Sequence, residues 1–359
     1  MTGIGKTTIA ARLLAVLLTM ALSAASGCHK EEDVGSGGGT SGGSATTQAS
    51  TGGGAGGGKT VRIGIVAKSI SNAVFQAAHK GAQDAAAELG PKYGVNVEVE
   101  IRTPTDEDAQ KQAEAIEALT RGGVNGIVVS CSEANTVTPA IDKAVGRGVQ
   151  VVTFDSDAAN SKRFAYYGTD DATCGQKIMS ELAKAMGDKG TIAILAGNQS
   201  APNLQARVAA VREELKKHPN MKELNNGNGV FYHQETPEKA AEAVANAQNA
   251  NPGIEGWAMV GGWPLFTANA LKWEPGKVKV VSVDALPAEL PYLKDGHVQL
   301  LLAQDCYGWG HKSVELLLDK IVKNQAPPSP RVIDPLTAVT KENADEYAKN
   351  WQKWLGGAK

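Results

Sequence analysis

Short apolar runs alternate with longer amphipathic segments along this chain from residue 60 onward. The apolar runs have the length of buried strands and the intervening segments have helical spacing, which predicts repeated strand–helix–strand units. Such units fold into parallel sheets with helices on both faces. The predicted strands are 61–67, 95–101, 126–130, 150–154, 191–195, 230–232, 257–260, 279–283 and 298–303.

The predicted helices begin at capping residues and end at glycine-containing positions. Gly90-Pro91 is expected to stop the first helix, and a capping-box-like segment, 105–108, is expected to open the second. Two series of such units in succession predict an α/β protein of two doubly wound lobes, in which ligands bind outside the carboxyl ends of the strands. The predicted helices are 72–89, 105–121, 136–147, 172–186, 203–217, 237–250, 265–271, 307–323 and 340–354.

The amino-terminal segment has the layout of a secretory signal. Lys6 and Arg12 precede an apolar segment, 13–22, and small residues lead from there to Cys28. The residues before Cys28 resemble the bacterial lipobox, in which the cysteine becomes the lipidated first residue of the mature protein. A lipoprotein signal peptide is therefore predicted over 1–27.

The chain after Cys28 is rich in glycine, serine and threonine up to residue 58. This composition is typical of a flexible tether, which is predicted over 28–59. Ala25 lies where the lipobox prefers leucine, and without lipidation the same protein would be free in the periplasm. The sequence thus predicts an exported protein that is anchored to a membrane through Cys28 and faces the periplasm or the cell exterior.

Charge and cysteine spacing exclude several classes of function. The formal net charge of −2 comes with no basic patch, so nucleic acid is not an expected partner. Cys131, Cys174 and Cys306 lie far apart, so no zinc site is predicted, and their pairing stays open. The segment 3–8 ends like a phosphate-binding P-loop but lacks the upstream glycine. No metal or cofactor is predicted.

Polar side chains follow four of the predicted strands. Asn72, Asp155, Asp284 and Gln304 each lie just beyond an apolar run. Carboxylates accept hydrogen bonds from hydroxyls, whereas amides both donate and accept. Each residue alone also fits a turn or a helix cap. Their recurrence at four strand ends favours a binding site for a hydroxyl-rich ligand.

A set of short motifs occurs in a fixed order between residues 61 and 347. The motifs are Asn72…Phe75, Thr153-Phe154-Asp155, Gly168-Thr169-Asp170, Asn203-Leu204-Gln205-Ala206-Arg207, Val283-Asp284, Ala303-Gln304 and 339–343. As an ordered set they resemble the ribose-type family of periplasmic sugar-binding proteins, the receptors of ABC importers.

The resemblance implies the periplasmic binding protein type I fold, with two doubly wound parallel-sheet lobes joined by a three-strand hinge. The chain would cross between the lobes near Thr169, Gln304 and Asp334. The implied lobes are an amino-terminal one, 60–169 plus 305–334, and a carboxyl-terminal one, 170–304 plus 335–359.

The resemblance also implies roles for the strand-end residues. Asp155 and Asp284 would accept hydrogen bonds from ligand hydroxyls. Asn72 and Gln304 would both donate and accept, and Phe75 would stack on the sugar ring.

Four further residues complete the predicted ligand set: Ser69, Asn203, Gln205 and Trp263. Gln205 lies where many relatives have a ligand-binding arginine, and Ser156 replaces the arginine of the ribose-binding pattern. Trp263 lies where relatives have a polar side chain, and either sugar stacking or core packing fits it. These departures argue against ribose itself.

Arg207 and the segment 233–235 are further polar features of the chain. Arg207 is expected to be structural by analogy with the family. The segment 233–235 either lines the cleft or forms an exposed loop.

The implied function is that of a monomeric, non-enzymatic receptor that captures a monosaccharide or similar polyol between its lobes and delivers it to an ABC permease. Ligand that bridges both lobes favours the closed form. A receptor of the same fold that signals to a membrane kinase or chemoreceptor is the alternative. A secreted sugar-acting enzyme would need two carboxylates across the scissile bond, for which Asp155 and Asp284 are the available pair. The exported start argues against a LacI-type repressor.

Overall fold

The computed structural model describes residues 59–355, which form two sheets flanked by helices. The first sheet has the strand order β12-β5-β4-β3-β1-β2, and all of its strand pairs are parallel. Its strands are β1 (Thr60–Val66), β2 (Asn96–Ile101), β3 (Gly126–Val129), β4 (Gln150–Phe154), β5 (Ala165–Gly168) and β12 (Arg331–Ile333).

The second sheet has the order β13-β11-β10-β9-β6-β7, and β8 also pairs with β6. Its pairs are parallel except for β13, which runs antiparallel to β11. Its strands are β6 (Gly190–Ala196), β7 (Met221–Glu223), β8 (Val230–Tyr232), β9 (Gly256–Met259), β10 (Lys279–Val283), β11 (Leu300–Ala303) and β13 (Thr337–Val339).

Helices cover both sheets. None of those within residues 59–355 combines the length and the apolar character needed to span a bilayer. They are α1 (Ala73–Lys92), α2 (Ala109–Arg121), α3 (Ala134–Gly146), α4 (Asp171–Met186), α5 (Pro202–Leu215), α6 (Pro237–Ala250), α7 (Leu290–Asp295), α8 (Cys306–Lys323) and α9 (Ala344–Trp354).

The chain passes from one sheet to the other three times. It leaves the first sheet after β5, returns between β11 and α8, and leaves again between β12 and β13. The residues at these crossings include Thr169, Gln304 and Asp334. An α/β fold with two mainly parallel sheets and three connections is the architecture that the alternating sequence pattern and the resemblance predicted.

The helix predicted over 265–271 is wrong. The chain there forms only a short 3-10 turn, Trp263–Phe266. Asn269 then adopts a positive φ of 56°, a left-handed conformation that a right-handed helix does not contain. The apolar residues of this segment are instead buried as a loop over the second sheet, with Leu265 fully inaccessible to solvent.

Other differences concern short elements and helix ends. The helix α1 continues through Pro91 to Lys92 instead of stopping at Gly90, and Gly94 follows with a φ of 69°. Short elements without a clear period were missed by the sequence analysis, because three or four residues do not establish a pattern. They are β5, β7, β12, β13 and α7.

The helices α1 and α8 pack in close contact on the first sheet because small residues meet at their crossing. A Cβ atom at Gly81 would lie 2.1 Å from the carbonyl oxygen of Tyr307, and one at Gly310 would lie 1.8 Å from that of Ala78. Only glycine allows two backbones to approach so closely. This close contact fixes α1 against α8.

The last helix, α9, contacts elements that belong to both sheets. Asp345 forms an ion pair with Lys294 on α7, beside the second sheet. At the other end, the ring of Trp354 stacks on Tyr307 of α8, with centroids 6.2 Å apart and planes at 8°. Trp351 between them is buried in a hydrophobic cluster that draws residues from both sheets. The helix therefore ties the end of the chain to both halves of the fold.

Replacing Asp170 by alanine is expected to destabilise the protein by about 1 kcal/mol, the usual cost of losing a helix cap. Its carboxylate accepts a hydrogen bond of 2.7 Å from the backbone N–H of Thr173 at the start of α4. This hydrogen bond holds the pKa of Asp170 below its ordinary value. The contribution is present above the unfolded pKa and disappears as the pH falls through the folded one. Urea unfolding at pH 7 and pH 3 measures the loss of stability and its pH dependence. Asp170→Asn should lose far less stability than Asp170→Ala at pH 7.

Candidate functional site

The loops at the carboxyl ends of the two sheets face each other and are joined by hydrogen bonds. Asp155, directly after β4, accepts a hydrogen bond of 3.2 Å on Oδ1 from Nδ2 of Asn203, which lies near the start of α5. Asn198, after β6, donates from Nδ2 to Oε1 of Glu107 at 3.2 Å. Because ligands of doubly wound sheets bind outside the carboxyl ends of the strands, this interface is the candidate site.

Asp155 is held in an unusual backbone conformation. Its φ is 52°, in the left-handed region that costs most residues conformational energy. The side chain is 5% exposed, and Oδ2 accepts a hydrogen bond of 2.7 Å from the hydroxyl of Ser130, after β3. Ser130 and Asn203 thus orient a buried carboxylate at the junction of the two sheets.

Asp284 occupies the corresponding place in the second sheet, directly after β10, and also has a positive φ, of 73°. Its Oδ1 accepts a hydrogen bond of 2.8 Å from Nε2 of Gln304, and its Oδ2 lies 3.4 Å from the backbone nitrogen of Gly262. Burial raises the pKa of Asp284 above its ordinary value. The structure therefore brings two predicted site residues, Asp284 and Gln304, into direct contact.

Arg207 connects this contact to the crossing segments. Its guanidinium donates to Oε1 of Gln304 at 2.7 Å, to Oδ1 of Asp171 at 2.9 Å and to the carbonyl oxygen of Val260 at 3.0 Å. Thr169 donates to the same Gln304 oxygen at 3.0 Å. All three guanidinium nitrogens are occupied by protein acceptors, in agreement with the structural role expected for Arg207.

Trp263 lies beside the second-sheet carboxylate but is packed on several sides. Its ring meets that of His233 edge to face, with centroids 5.1 Å apart. A Cβ atom at Gly197 would lie 2.8 Å from the ring, and one at Gly261 only 2.4 Å. The side chain is 6% exposed and belongs to the hydrophobic cluster of the second sheet. Sugar stacking by Trp263 stays a prediction.

The remaining predicted residues lie at the edge of this site or away from it. Asn72 caps α1, where its Oδ1 accepts a hydrogen bond of 3.1 Å from the backbone of Val74. Phe75 packs in the core against Phe154 and Trp309, with centroids 6.4 and 6.1 Å away. Its stacking on a ligand therefore has no supporting contact here and stays a prediction.

Gln205 faces the second sheet rather than the paired carboxylates. Its Oε1 lies 3.5 Å from the hydroxyl of Tyr232, and its buried Nε2 has no hydrogen-bond partner among the described residues. The side chain of Gln205 is thus turned toward β8.

Cavities of ligand-binding size open between the two sets of loops. One of about 680 Å³ is lined by Ser69, Asn198 and Glu235, and one of about 530 Å³ by Asn72 and Glu235. A third, of about 590 Å³, lies on the other side of Asn203. These volumes fall within the roughly 300–1,000 Å³ of typical small-molecule sites.

Two charged residues of the site were absent from the predicted set. Lys68 follows β1 and is 3% exposed, and its Nζ lies 3.7 Å from Oε2 of Glu235, which follows β8. Burial lowers the pKa of Lys68, but the carboxylates of Glu235, Glu107 and Asp155 outweigh it, so the pKa is raised. A lysine directly after the apolar run 63–67 was the available signal. Glu235 belongs to the segment 233–235, and it lines two of the cavities between the loops.

Neither metal nor disulfide chemistry is evident in residues 59–355. No group of three or more potential metal ligands comes together there. Cys131, Cys174 and Cys306 are buried and unpaired, and burial raises the pKa of each thiol. The predicted signal peptide, 1–27, and the predicted lipidation residue, Cys28, lie outside the described residues, as does the predicted tether up to residue 58.

Comparison with known proteins identifies the family. Residues 63–325 match the family described as "Periplasmic binding protein domain". A D-ribose/D-allose-binding protein of Pseudomonas aeruginosa is 26% identical over 66% of this chain and 75% of its own length. A xylitol-binding protein of Mycolicibacterium smegmatis is 25% identical over 83% of each chain.

Solved structures agree with this assignment. An ABC transporter solute-binding protein of Burkholderia graminis, in complex with D-arabinose, superposes with a TM-score of 0.73 at 27% identity, over 80% of this chain and 97% of the other. The resemblance to ribose-type binding proteins is confirmed, and the named relatives are binding proteins rather than enzymes. The chain belongs to the periplasmic binding protein family.

Proposed function

We propose that this protein is an extracytoplasmic receptor that captures a sugar or related polyol between its two sheets and delivers it to an ABC permease. The observation that carries the proposal is the pair of buried carboxylates, Asp155 and Asp284, one after a strand of each sheet, each with an amide partner. Relatives that bind D-ribose or D-allose, xylitol and D-arabinose support the class of ligand.

The chemistry of the site suits an uncharged, hydroxyl-rich molecule. The carboxylates accept hydrogen bonds from hydroxyls, and the amides of Asn203 and Gln304 both donate and accept. The guanidinium of the buried Arg207 donates to three protein acceptors, one of them the carboxylate of Asp171, so its charge is already paired within the protein. We therefore propose a neutral ligand, with Ser69, Asn72, Phe75, Gln205 and Trp263 as further binding residues.

The two halves of the fold are proposed to act as lobes that close on the ligand. The lobes would comprise 60–169 with 305–334 and 170–304 with 335–359. Ligand contacts to both would favour the closed arrangement by differential affinity for the two states. Since α9 contacts α7 and α8, its position would be coupled to the angle between the lobes.

The membrane location is part of the proposal. A lipid on Cys28 would anchor the mature protein, and a flexible tether of about 30 residues would reach roughly 30 Å. That reach would keep a monomeric receptor close to its permease. Mass spectrometry of the membrane-extracted protein tests this, because a diacylglyceryl mass on Cys28 is expected and a free cysteine or cleavage elsewhere would contradict it.

A sugar panel tests the binding function directly. D-ribose, D-allose, xylitol, D-arabinose, D-tagatose and myo-inositol are each added to the purified protein, and the melting temperature is measured. A ligand at about 100 times its dissociation constant stabilises the native state by about 2.7 kcal/mol, so at least one sugar should raise the melting temperature by several degrees. Sugar acids and sugar phosphates serve as controls and should give no shift. Absence of any shift, together with no small molecule copurifying with the protein, would contradict the proposal.

A further inference from the structure

The ion pair between Lys68 and Glu235 joins the loops of the two sheets, but its two charged groups are not hydrogen-bonded to each other. The Nζ and Oε2 atoms are 3.7 Å apart, beyond hydrogen-bond distance, although both side chains are almost completely buried, at 3% and 7% exposure. Among the described residues, no acceptor lies within hydrogen-bond distance of the Lys68 ammonium. A buried ammonium with three unused donors is costly unless something else accepts its hydrogen bonds.

The carboxylate of Glu235 is held from the opposite side. Its Oε1 accepts a hydrogen bond of 3.1 Å from the backbone of Asn198, which leaves Oε2 directed at Lys68. A Cβ atom at Gly197 would lie 2.8 Å from both the Glu235 side chain and the ring of Trp263. Glu235 is therefore fixed between Trp263, a predicted ligand-binding residue, and Lys68. It lines the cavity of about 680 Å³ together with Ser69 and the cavity of about 530 Å³ together with Asn72.

We propose that one hydroxyl of the bound sugar lies between Lys68 and Glu235, accepting a hydrogen bond from the ammonium and donating one to the carboxylate. A hydroxyl oxygen at about 2.8 Å from each atom spans a separation of 3.7 Å without moving either side chain. Only a group that both accepts and donates satisfies the pair, which selects a hydroxyl over an ether or a carbonyl oxygen. Lys68 and Glu235 are thus specificity-determining residues of the same site, an inference that rests on the proposed function.

The charges around the pair support this assignment. Glu107 and Asp155 add negative charge near Lys68, and Arg207 is the other cation close enough to affect its pKa. Lys68 therefore stays charged, whereas burial raises the pKa of Glu235. A net negative surrounding of this kind repels a carboxylate or phosphate on the ligand, so the group that Lys68 binds is a neutral oxygen.

The test compares dissociation constants, measured by isothermal titration calorimetry with the panel sugar that gives the largest thermal shift. Lys68→Met and Glu235→Gln are each expected to weaken binding about 10- to 100-fold, the range for a hydrogen bond to a charged group. The control Lys216→Met/Glu213→Gln removes an exposed ion pair near the end of α5 and should leave affinity unchanged.

Monodeoxy analogues of that sugar identify the hydroxyl. One analogue should bind the native protein with the same weakened affinity that Lys68→Met shows for the full sugar. Lys68→Met should bind this analogue and the full sugar with equal affinity. Lys68→Met leaves the buried carboxylate of Glu235 without its partner and could therefore fail to fold. In that case the double variant Lys68→Met/Glu235→Gln, in which neither position carries a charge, is used in its place.

The outcomes separate this inference from the proposed function. If the native protein binds a panel sugar and both single variants bind it equally well, Lys68 and Glu235 form only a structural pair and the inference fails. The loss of affinity caused by removing each hydroxyl can also be compared between the native protein and Lys68→Met. If this loss is the same in both proteins for every monodeoxy analogue, the inference fails. If the native protein binds no panel sugar and no small molecule copurifies with it, the proposed function itself fails.

Discussion

Arg207→Met is expected to destabilise the protein by about 3–5 kcal/mol, the usual cost of removing one partner from a buried ion pair. The guanidinium is 2% exposed and holds the carboxylate of Asp171, the side chain of Gln304 and the carbonyl of Val260 together. Without it, all three acceptors stay buried with fewer donors. Urea unfolding followed by circular dichroism measures the change.

The pH dependence of this loss identifies its electrostatic part. Burial raises the pKa of Asp171 to about 6, with Arg207 opposing the rise. Removing the guanidinium raises it further, so the folded state binds a proton over a wider pH range than the unfolded state. Above about pH 6 the native protein has lost this proton while the variant still holds it, so the deficit of Arg207→Met should grow as the pH rises above about 6 and be smallest below that value.

Two variants serve as controls for Arg207. Arg207→Lys keeps the charge but cannot reach three acceptors in different directions, so it should lose stability to an intermediate extent. Arg121→Met removes an exposed arginine from the end of α2 and should have little effect. A deficit of Arg207→Met that is small or independent of pH would contradict the role of Arg207 as the buried counter-charge at the crossing.

Asp155→Asn is expected to weaken sugar binding about 10- to 100-fold, with little change in stability. The substitution keeps the size of the side chain but removes the charge and half of the acceptor capacity that face the loops of the second sheet. Calorimetric titration with the best-binding panel sugar measures the dissociation constant, and Asp142→Asn, on the outer face of α3, is the matched control.

Ser130→Ala distinguishes ligand binding by Asp155 from its contacts within the protein. It removes the hydroxyl that donates to Oδ2 of Asp155 but keeps the carboxylate. If Asp155 binds a ligand hydroxyl, Asp155→Asn should lose more affinity than Ser130→Ala. Equal, small losses would show that this carboxylate is structural.

Much of the site followed from the position of polar residues after apolar strands. Asp155, Asp284 and Gln304 were identified this way, because the pattern of a parallel sheet puts all strand ends on one edge. Their direct partners were partly identified too, since Asn203 belongs to a family motif. The pattern did not specify which polar residue faces the cavity and which caps a helix. Binding residues and helix caps both occur directly after a strand, where the next helix begins.

Lys68 and Glu235 show the limit most clearly. They are 167 positions apart in sequence, and each has an ordinary local explanation as a solvated charge. Only the packing of the β1 loop against the β8 loop buries both and turns them toward each other. The packing of Phe75 against Phe154 and Trp309 is likewise visible only in the structure, and its stacking on a ligand stays a prediction.

The sequence by itself determined the α/β class and the strand-end chemistry, because hydrophobic periodicity and turn residues act locally. The order of strands in each sheet, the left-handed backbone of Asp155 and Asp284, and the occupation of Arg207 by protein acceptors were decided only in the tertiary structure. These features depend on contacts between segments distant in the chain, whose free energies appear only when the two sheets pack together.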